Sequence, residues 1–99
     1  MAINTAFNAK RGSNLEVAPA VGSASSLIDQ TNKSVRCVNW GAAICYVRIG
    51  TGPQTASSAD TPIRAGSEVV LAKAEGEDTI AYLSATGTTL SIQTGEGGV

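Results

Sequence analysis

The sequence predicts an all-β protein, a compact antiparallel β-sandwich or jelly-roll-like domain with an extended N-terminal arm. About six to eight short runs of β-forming residues alternate with turn-forming residues, which is the pattern of small β-sandwiches. Ser, Thr, Ala and Gly fill 46 of the 99 positions. That composition argues against long amphipathic helices, which need Leu, Glu and Lys on regular faces.

The chain length of 99 residues allows one domain and is too short for two. We predict an arm over residues 1–12, a single β domain over 13–99, and a flexible glycine-rich tail over 95–99. Ile3 and Phe7 are the apolar anchors of the arm, which is either frayed or ordered against a neighbouring subunit.

The first strands are expected to be short and irregular. Residues 15–17 and 26–28 each fit a short strand, with Pro19 limiting pairing after the first. From residue 34 onward the apolar pattern is clearer.

Residues 34–50 are interpreted as a β-hairpin with its turn centred on Gly41. This register sets Cys37 opposite Cys45 and Val35 opposite Val47. Because side chains alternate between the faces of a strand, one face is assigned to the core. That face carries Val35, Cys37, Cys45, Val47 and Ile49. The other face, predicted to be covered by a partner, carries Arg36, Val38, Ile44, Tyr46 and Arg48.

Trp40 lies at the predicted hairpin tip. It is interpreted as capping the core or filling a subunit interface, with a ligand-stacking platform as the alternative. Arg36 and Arg48 are either ordinary exposed arginines or partners of carboxylates such as Glu68 or Asp60 across a subunit boundary. The candidate subunit or partner interface is therefore Ile3, Phe7, Arg36, Val38, Trp40, Ile44, Tyr46 and Arg48.

The C-terminal half is predicted to form a crossing loop, short strands and a second hairpin. Residues 50–60 form the loop, 62–71 contain two extended pieces, and 73–78 form a charged turn. The hairpin over 79–94 sets Leu83 against Leu90 and Ala81 against Ile92. These four side chains are predicted to face inward, with Ile80, Tyr82, Thr89, Ser91 and Gln93 facing out.

The residue types present exclude several kinds of chemistry. The chain has no histidine, which removes Ser/His and Cys/His nucleophilic pairs and the commonest metal ligand. Two cysteines eight residues apart make neither a zinc site nor a CxxC motif. We therefore predict no catalytic residues, no metal and no cofactor. Cys37 and Cys45 are interpreted as buried thiols, with a disulfide as the alternative.

The charge balance bears on possible partners. Seven Lys and Arg residues against eight Asp and Glu residues give no basic surface for nucleic acid. No apolar run approaches the roughly 20 residues of a membrane span, so we expect a soluble chain without a membrane partner. A net charge of −1 favours association.

Four segments of the chain resemble a class of small virion proteins of tailed bacteriophages. Those proteins carry a "VRVxN, turn, VxVRxG" hairpin, a Thr/Ser/Ala loop, a "PIxAGS" corner and an "IAxxxxTGxxxLxxxxGEG" end. The matching positions are residues 35–39, 46–50, 62–67 and 80–97. The chain differs from the pattern mainly at Cys37 and Cys45, where another apolar residue is expected.

The resemblance implies a capsid decoration or cement protein without catalytic residues. Its implied partners are the major capsid protein and further copies of itself, with a trimer favoured. Its implied location is the outside of the capsid, after synthesis in the bacterial host cytoplasm. The alternatives are a tail or fibre glycan-binding module, in which Trp40 and Tyr46 stack on sugars, and a component of the head-to-tail connector. An enzyme is not expected, since no general acid/base pair can be assembled.

Overall fold

The computed structural model describes residues 6–98 and confirms the all-β prediction. Two antiparallel sheets pack face to face as a β-sandwich. The nine strands are β1 (Asn8–Ala9), β2 (Leu15–Val17), β3 (Ala24–Leu27), β4 (Ser34–Asn39), β5 (Cys45–Gly50), β6 (Thr61–Ile63), β7 (Glu68–Ala72), β8 (Thr79–Leu83) and β9 (Leu90–Glu96).

The two sheets divide these strands in an order unlike their order in sequence. In the first, here called sheet A, β1 and β2 both pair with one side of β9, and β4 and β7 follow on its other side. In the second, called sheet B, the order is β3, β8, β5 and β6. Strands β9 and β5 thus lie inside their sheets, with neighbours on both sides.

The core lies between the two sheets, and the predicted core face of residues 34–50 is confirmed. Val35 and Cys37 from sheet A and Cys45 and Val47 from sheet B are all buried. Ile49 is partly buried against the same cluster. The other fully or nearly buried core residues are Ile63, Ile80, Tyr82, Leu90 and Ile92.

The predicted hairpin over residues 34–50 is wrong. Strand β4 pairs with β7 and β9 in sheet A, whereas β5 pairs with β6 and β8 in sheet B. Residues 40–44, here called the inter-sheet connection, carry the chain from one sheet to the other. Side-chain alternation is the same whether two strands lie side by side or face each other, so it identified the inner face but not the partner strand.

The predicted hairpin over residues 79–94 is wrong for the same reason. Strand β8 belongs to sheet B and β9 to sheet A. Leu90 and Ile92 face the core as predicted, but on β8 the inward side chains are Ile80 and Tyr82. Every side chain from 80 to 83 is apolar or aromatic, so the pattern of β8 does not distinguish its two faces.

The described part of the N-terminal arm lies against its own chain. Asn8 and Ala9 pair with Glu96 and Gly95 of β9. A Cβ atom placed on Gly95 would come within 2.2 Å of the Asn8 carbonyl oxygen, so glycine is required for this close approach. Strand β9 thus extends two residues into the segment predicted as a flexible tail.

Side chains of the arm also contact distant parts of the domain. Lys10 Nζ donates to the Asp29 carboxylate, and this bond holds the pKa of Asp29 well below its ordinary value. Phe7 is half-buried beside Gly98 and Val70, so residues from the two ends of the described range meet over the outer face of sheet A. Ile3, the other predicted anchor, lies outside the described residues.

The charged turn over residues 73–78 contains an inward-facing lysine. Lys73 is 4% exposed, and its Nζ donates to the Glu77 backbone carbonyl at 2.9 Å. The pKa of Asp78 is lowered chiefly because its carboxylate accepts from the Gly52 backbone N–H, with a smaller contribution from Lys73. The turn therefore anchors the loop after β5 as well as carrying surface charge.

Cys37 of sheet A and Cys45 of sheet B are free thiols in the core, which confirms the preferred interpretation of buried thiols. Both are fully buried. Burial raises the pKa of Cys37 to about 12 and that of Cys45 to about 11.

We expect both thiols to resist alkylation in the folded protein. At pH 8 a thiol with a pKa near 11 is ionised to only about one part in a thousand, and the thiolate is the reactive form. Iodoacetamide labelling followed by mass spectrometry should show no modification in native buffer and two modified cysteines in urea. Rapid labelling of either cysteine without unfolding would contradict the burial described here.

Candidate functional site

The predicted interface residues lie on two opposite outer faces of the sandwich. Arg36, Val38 and Trp40 lie on the outer face of sheet A. Tyr46 and Arg48 lie on the outer face of sheet B, and Ile44 precedes them at the end of the inter-sheet connection. Because β4 and β5 lie in different sheets, a single partner surface cannot cover all six side chains at once.

The outer face of sheet B, here called face B, is the more apolar of the two. Tyr46 pairs with Leu83 of β8 and with Pro62 of β6. Ile44 is 39% exposed and Leu27, on the edge strand β3, is 79% exposed. Ser25 and Pro62 also belong to face B, and so do Ala81 and Leu83, for which the predicted inward orientation is wrong.

Arg48 is the one charged side chain among the outward-facing strand residues of face B. Its Nε donates to Gln54 Oε1 at 3.0 Å, and a terminal nitrogen lies 4.0 Å from Asp60 Oδ1. Asp60 was one of the carboxylates considered for a subunit contact, but the structure pairs it within the chain. The charge that the strands contribute to face B therefore already has partners within the chain.

The outer face of sheet A, here called face A, carries three charged side chains, Glu16, Arg36 and Glu68, beside apolar residues such as Val38 and Val70. Arg36 Nε lies 2.6 Å from Glu68 Oε2, and the same guanidinium donates to Gln93 Oε1 at 3.1 Å. This ion pair also forms within the chain. Glu16 adds a further carboxylate opposite Ser91.

Trp40 is the large exposed aromatic residue of face A. Its side chain is 67% exposed, yet the indole Nε1–H donates to Ser91 Oγ at 2.7 Å. Ser91 Oγ in turn donates to Glu16 Oε1 at 3.1 Å. Tyr46 lies on the opposite face, so these two aromatic residues do not form one stacking site.

The inter-sheet connection that separates the two faces is fixed by Asn39, a fully buried polar residue. Its Nδ2 donates to the Ala43 and Ile63 carbonyl oxygens at 2.8 and 2.9 Å. Its Oδ1 accepts from the Gly41 backbone N–H at 3.1 Å and from Thr88 Oγ1 at 2.6 Å. Every hydrogen-bonding position of this amide is therefore used.

A cleft of about 410 Å³ opens between the sheets beside β5 and β7. The two carboxylates that line this cleft accept hydrogen bonds from nearby backbone N–H groups. Asp60 accepts from the Ser57 backbone N–H, and Glu77 accepts from the Ala74 backbone N–H. Among residues 6–98 no three His, Cys, Asp or Glu residues are placed to hold a metal ion. No helix in the same range is long and apolar enough to cross a membrane.

Comparison with known proteins finds a structure with a similar fold, but it shows no family for this chain. No protein-family model matches the sequence, and no curated protein matches it. A solved structure described as the crystal structure of PirA is similar, with a TM-score of 0.60 and 10% sequence identity. The similarity covers 86% of this chain and 95% of that chain. At this identity the similarity shows a shared β-sandwich fold alone.

Proposed function

We propose that this protein is a capsid decoration or cement protein that binds the outer surface of a phage head through face B and has no catalytic role. We choose face B because the two outer faces differ in the number of charged side chains that they carry. Arg48 is the one charged strand residue of face B, whereas face A carries Glu16, Arg36 and Glu68 beside its apolar residues. Apolar surface removed from water stabilises association in proportion to its area.

The proposed partner is the major capsid protein, together with further copies of this chain, with a trimer favoured. One copy of face B is small, so each contact is weak. Linked copies on a repeating lattice raise the effective affinity without any new contact. The resemblance of residues 35–39, 46–50, 62–67 and 80–97 to phage virion proteins supports this role and the proposed location on the capsid exterior.

The first test is the copy number and position of the chain in a purified phage particle. We expect many copies distributed over the whole outer lattice by cryo-electron microscopy and quantitative mass spectrometry. A single ring of copies at one vertex would identify a head-to-tail connector component instead. Density confined to the tail or fibres would also contradict the decoration role.

The second test changes face B without disturbing the core. Ile44→Asp should lower occupancy on purified capsids by at least about tenfold, because it places a charge in the apolar contact and multivalency amplifies the loss. Val21→Asp is the matched control, since Val21 is 79% exposed in the loop between β2 and β3. Equal occupancy for the two variants, with both melting as wild type, would exclude face B as the docking surface.

A further inference from the structure

Trp40 is exposed but held in one orientation. Its ring is 67% exposed, although an unconstrained exposed tryptophan would leave its N–H to water. Here the N–H is tied to Ser91, and Ser91 is tied to Glu16. This chain of two hydrogen bonds connects β2, β9 and the start of the inter-sheet connection. It fixes the indole on face A without burying it.

Polar side chains are fixed around this indole. The sheet register places Glu16, Ser91, Val38 and Glu68 in one row across four strands. The next row on the same face contains Gln93, Arg36 and Val70. Neighbouring residues in such a row lie about 5 Å apart, so hydrogen-bond acceptors and donors lie within a sugar's width of the indole.

We propose that face A binds a neutral hexose or N-acetylhexosamine residue of a surface glycan, with the sugar ring stacked on Trp40. A pyranose ring has an apolar C–H face and a rim of hydroxyl groups. A flat indole flanked by fixed polar groups matches both features. A protein partner would favour a contiguous apolar patch, and beside Trp40 the row offers only the half-buried Val38.

The charges of face A select against acidic sugars. Glu16 makes no ion pair within residues 6–98, and Arg36 is already paired with Glu68. A uronic or sialic acid would therefore meet the uncompensated negative charge of Glu16 close to the indole. Neutral sugars bring only hydroxyl or amide groups, which these side chains can bind.

This inference is independent of the capsid proposal but compatible with it. Faces A and B are on opposite sides of the sandwich, so a copy docked through face B would direct Trp40 away from the particle surface. Sugar binding can be measured on the isolated chain, and failure of one proposal leaves the other open to its own test.

Trp40 is the one tryptophan of the chain, so intrinsic fluorescence reports on this site directly. The full-length protein should be titrated with chitotetraose, maltotetraose and neutral bacterial O-chain oligosaccharides, with oligogalacturonate as the acidic comparison. We expect a saturable change in emission with at least one neutral sugar and none with oligogalacturonate.

Variants then assign the binding to face A. On an array of the same sugars, Trp40→Ala should weaken binding at least about tenfold, whereas Tyr46→Ala, an aromatic change on the opposite face, should leave it unchanged. The proposal is overturned if no neutral sugar changes the emission, or if the two variants lose binding equally. It is also overturned if Trp40→Ala removes capsid occupancy without any sugar binding, since face A would then be a protein-docking surface.

Discussion

Asn39→Ala is expected to lower the free energy of unfolding by about 4 kcal/mol, a large fraction of the 5–15 kcal/mol that stabilises a typical domain. The substitution removes four hydrogen bonds. It leaves the Ala43 and Ile63 carbonyl oxygens, which accept from this amide, without that partner. Leaving a buried polar group unpaired costs about 1–3 kcal/mol. Urea denaturation followed by far-UV circular dichroism measures the loss.

Two further variants separate the amide from the general effect of substitution. Asn39→Asp retains the acceptor oxygen but loses both donors and introduces a buried charge, so it should be at least as destabilised as Asn39→Ala. Asn14→Ala, at an exposed asparagine, should change stability by less than about 0.5 kcal/mol. If Asn39→Ala were as stable as Asn14→Ala, the inter-sheet connection would not depend on this network.

Gly41→Ala is the second substitution with a large expected effect. A Cβ at this position would lie 1.9 Å from Thr88 Oγ1, 2.7 Å from the Thr89 backbone nitrogen and 2.8 Å from the Thr88 Cα. The Thr88 side chain can rotate, but the two backbone atoms cannot move without displacing the start of β9. Overpacking of this kind costs about 1–3 kcal/mol, and we expect the upper part of that range.

Gly22→Ala provides the matched control, because no atom lies within 4 Å of its Cβ position and its backbone does not require glycine. This variant should be as stable as wild type or slightly more stable, since alanine reduces the conformational freedom of the unfolded chain. Thermal melts of the two variants should therefore differ by several degrees. Equal melting temperatures would mean that the inter-sheet connection can shift freely away from Thr88 and Thr89.

The sequence was sufficient to predict the fold class and the inner face of β4 and β5. Val35, Cys37, Cys45 and Val47 alternate with a second set that includes Arg36, Tyr46 and Arg48, and alternation depends only on local chain geometry. The strand partners could not be predicted, because an inner face has the same pattern whether its neighbour lies beside it or opposite it. On β8 even the face was wrong, since all of residues 80–83 are apolar or aromatic.

The candidate sites were predicted in part. Trp40, Ile44 and Tyr46 were recognised as outward-facing from the sequence, but they were placed on one surface because β4 and β5 were taken as neighbours. The contact that orients Trp40 joins residues 40 and 91, and the next contact joins 91 and 16. Contacts over such separations leave no local signal, and only the strand order of sheet A brings them together.

The place of β9 in sheet A has a consequence for biosynthesis. Strand β9 lies between β4 on one side and β1 and β2 on the other, so sheet A lacks one of its interior strands until residues 90–96 have been synthesised. Strands β4 and β5, and likewise β8 and β9, cannot form early local hairpins, because each pair is divided between the sheets. Such non-local pairing slows folding. Folding of the two sheets therefore waits for residues 90–96, and a chain truncated before residue 90 would retain only the β4–β7 pair of sheet A.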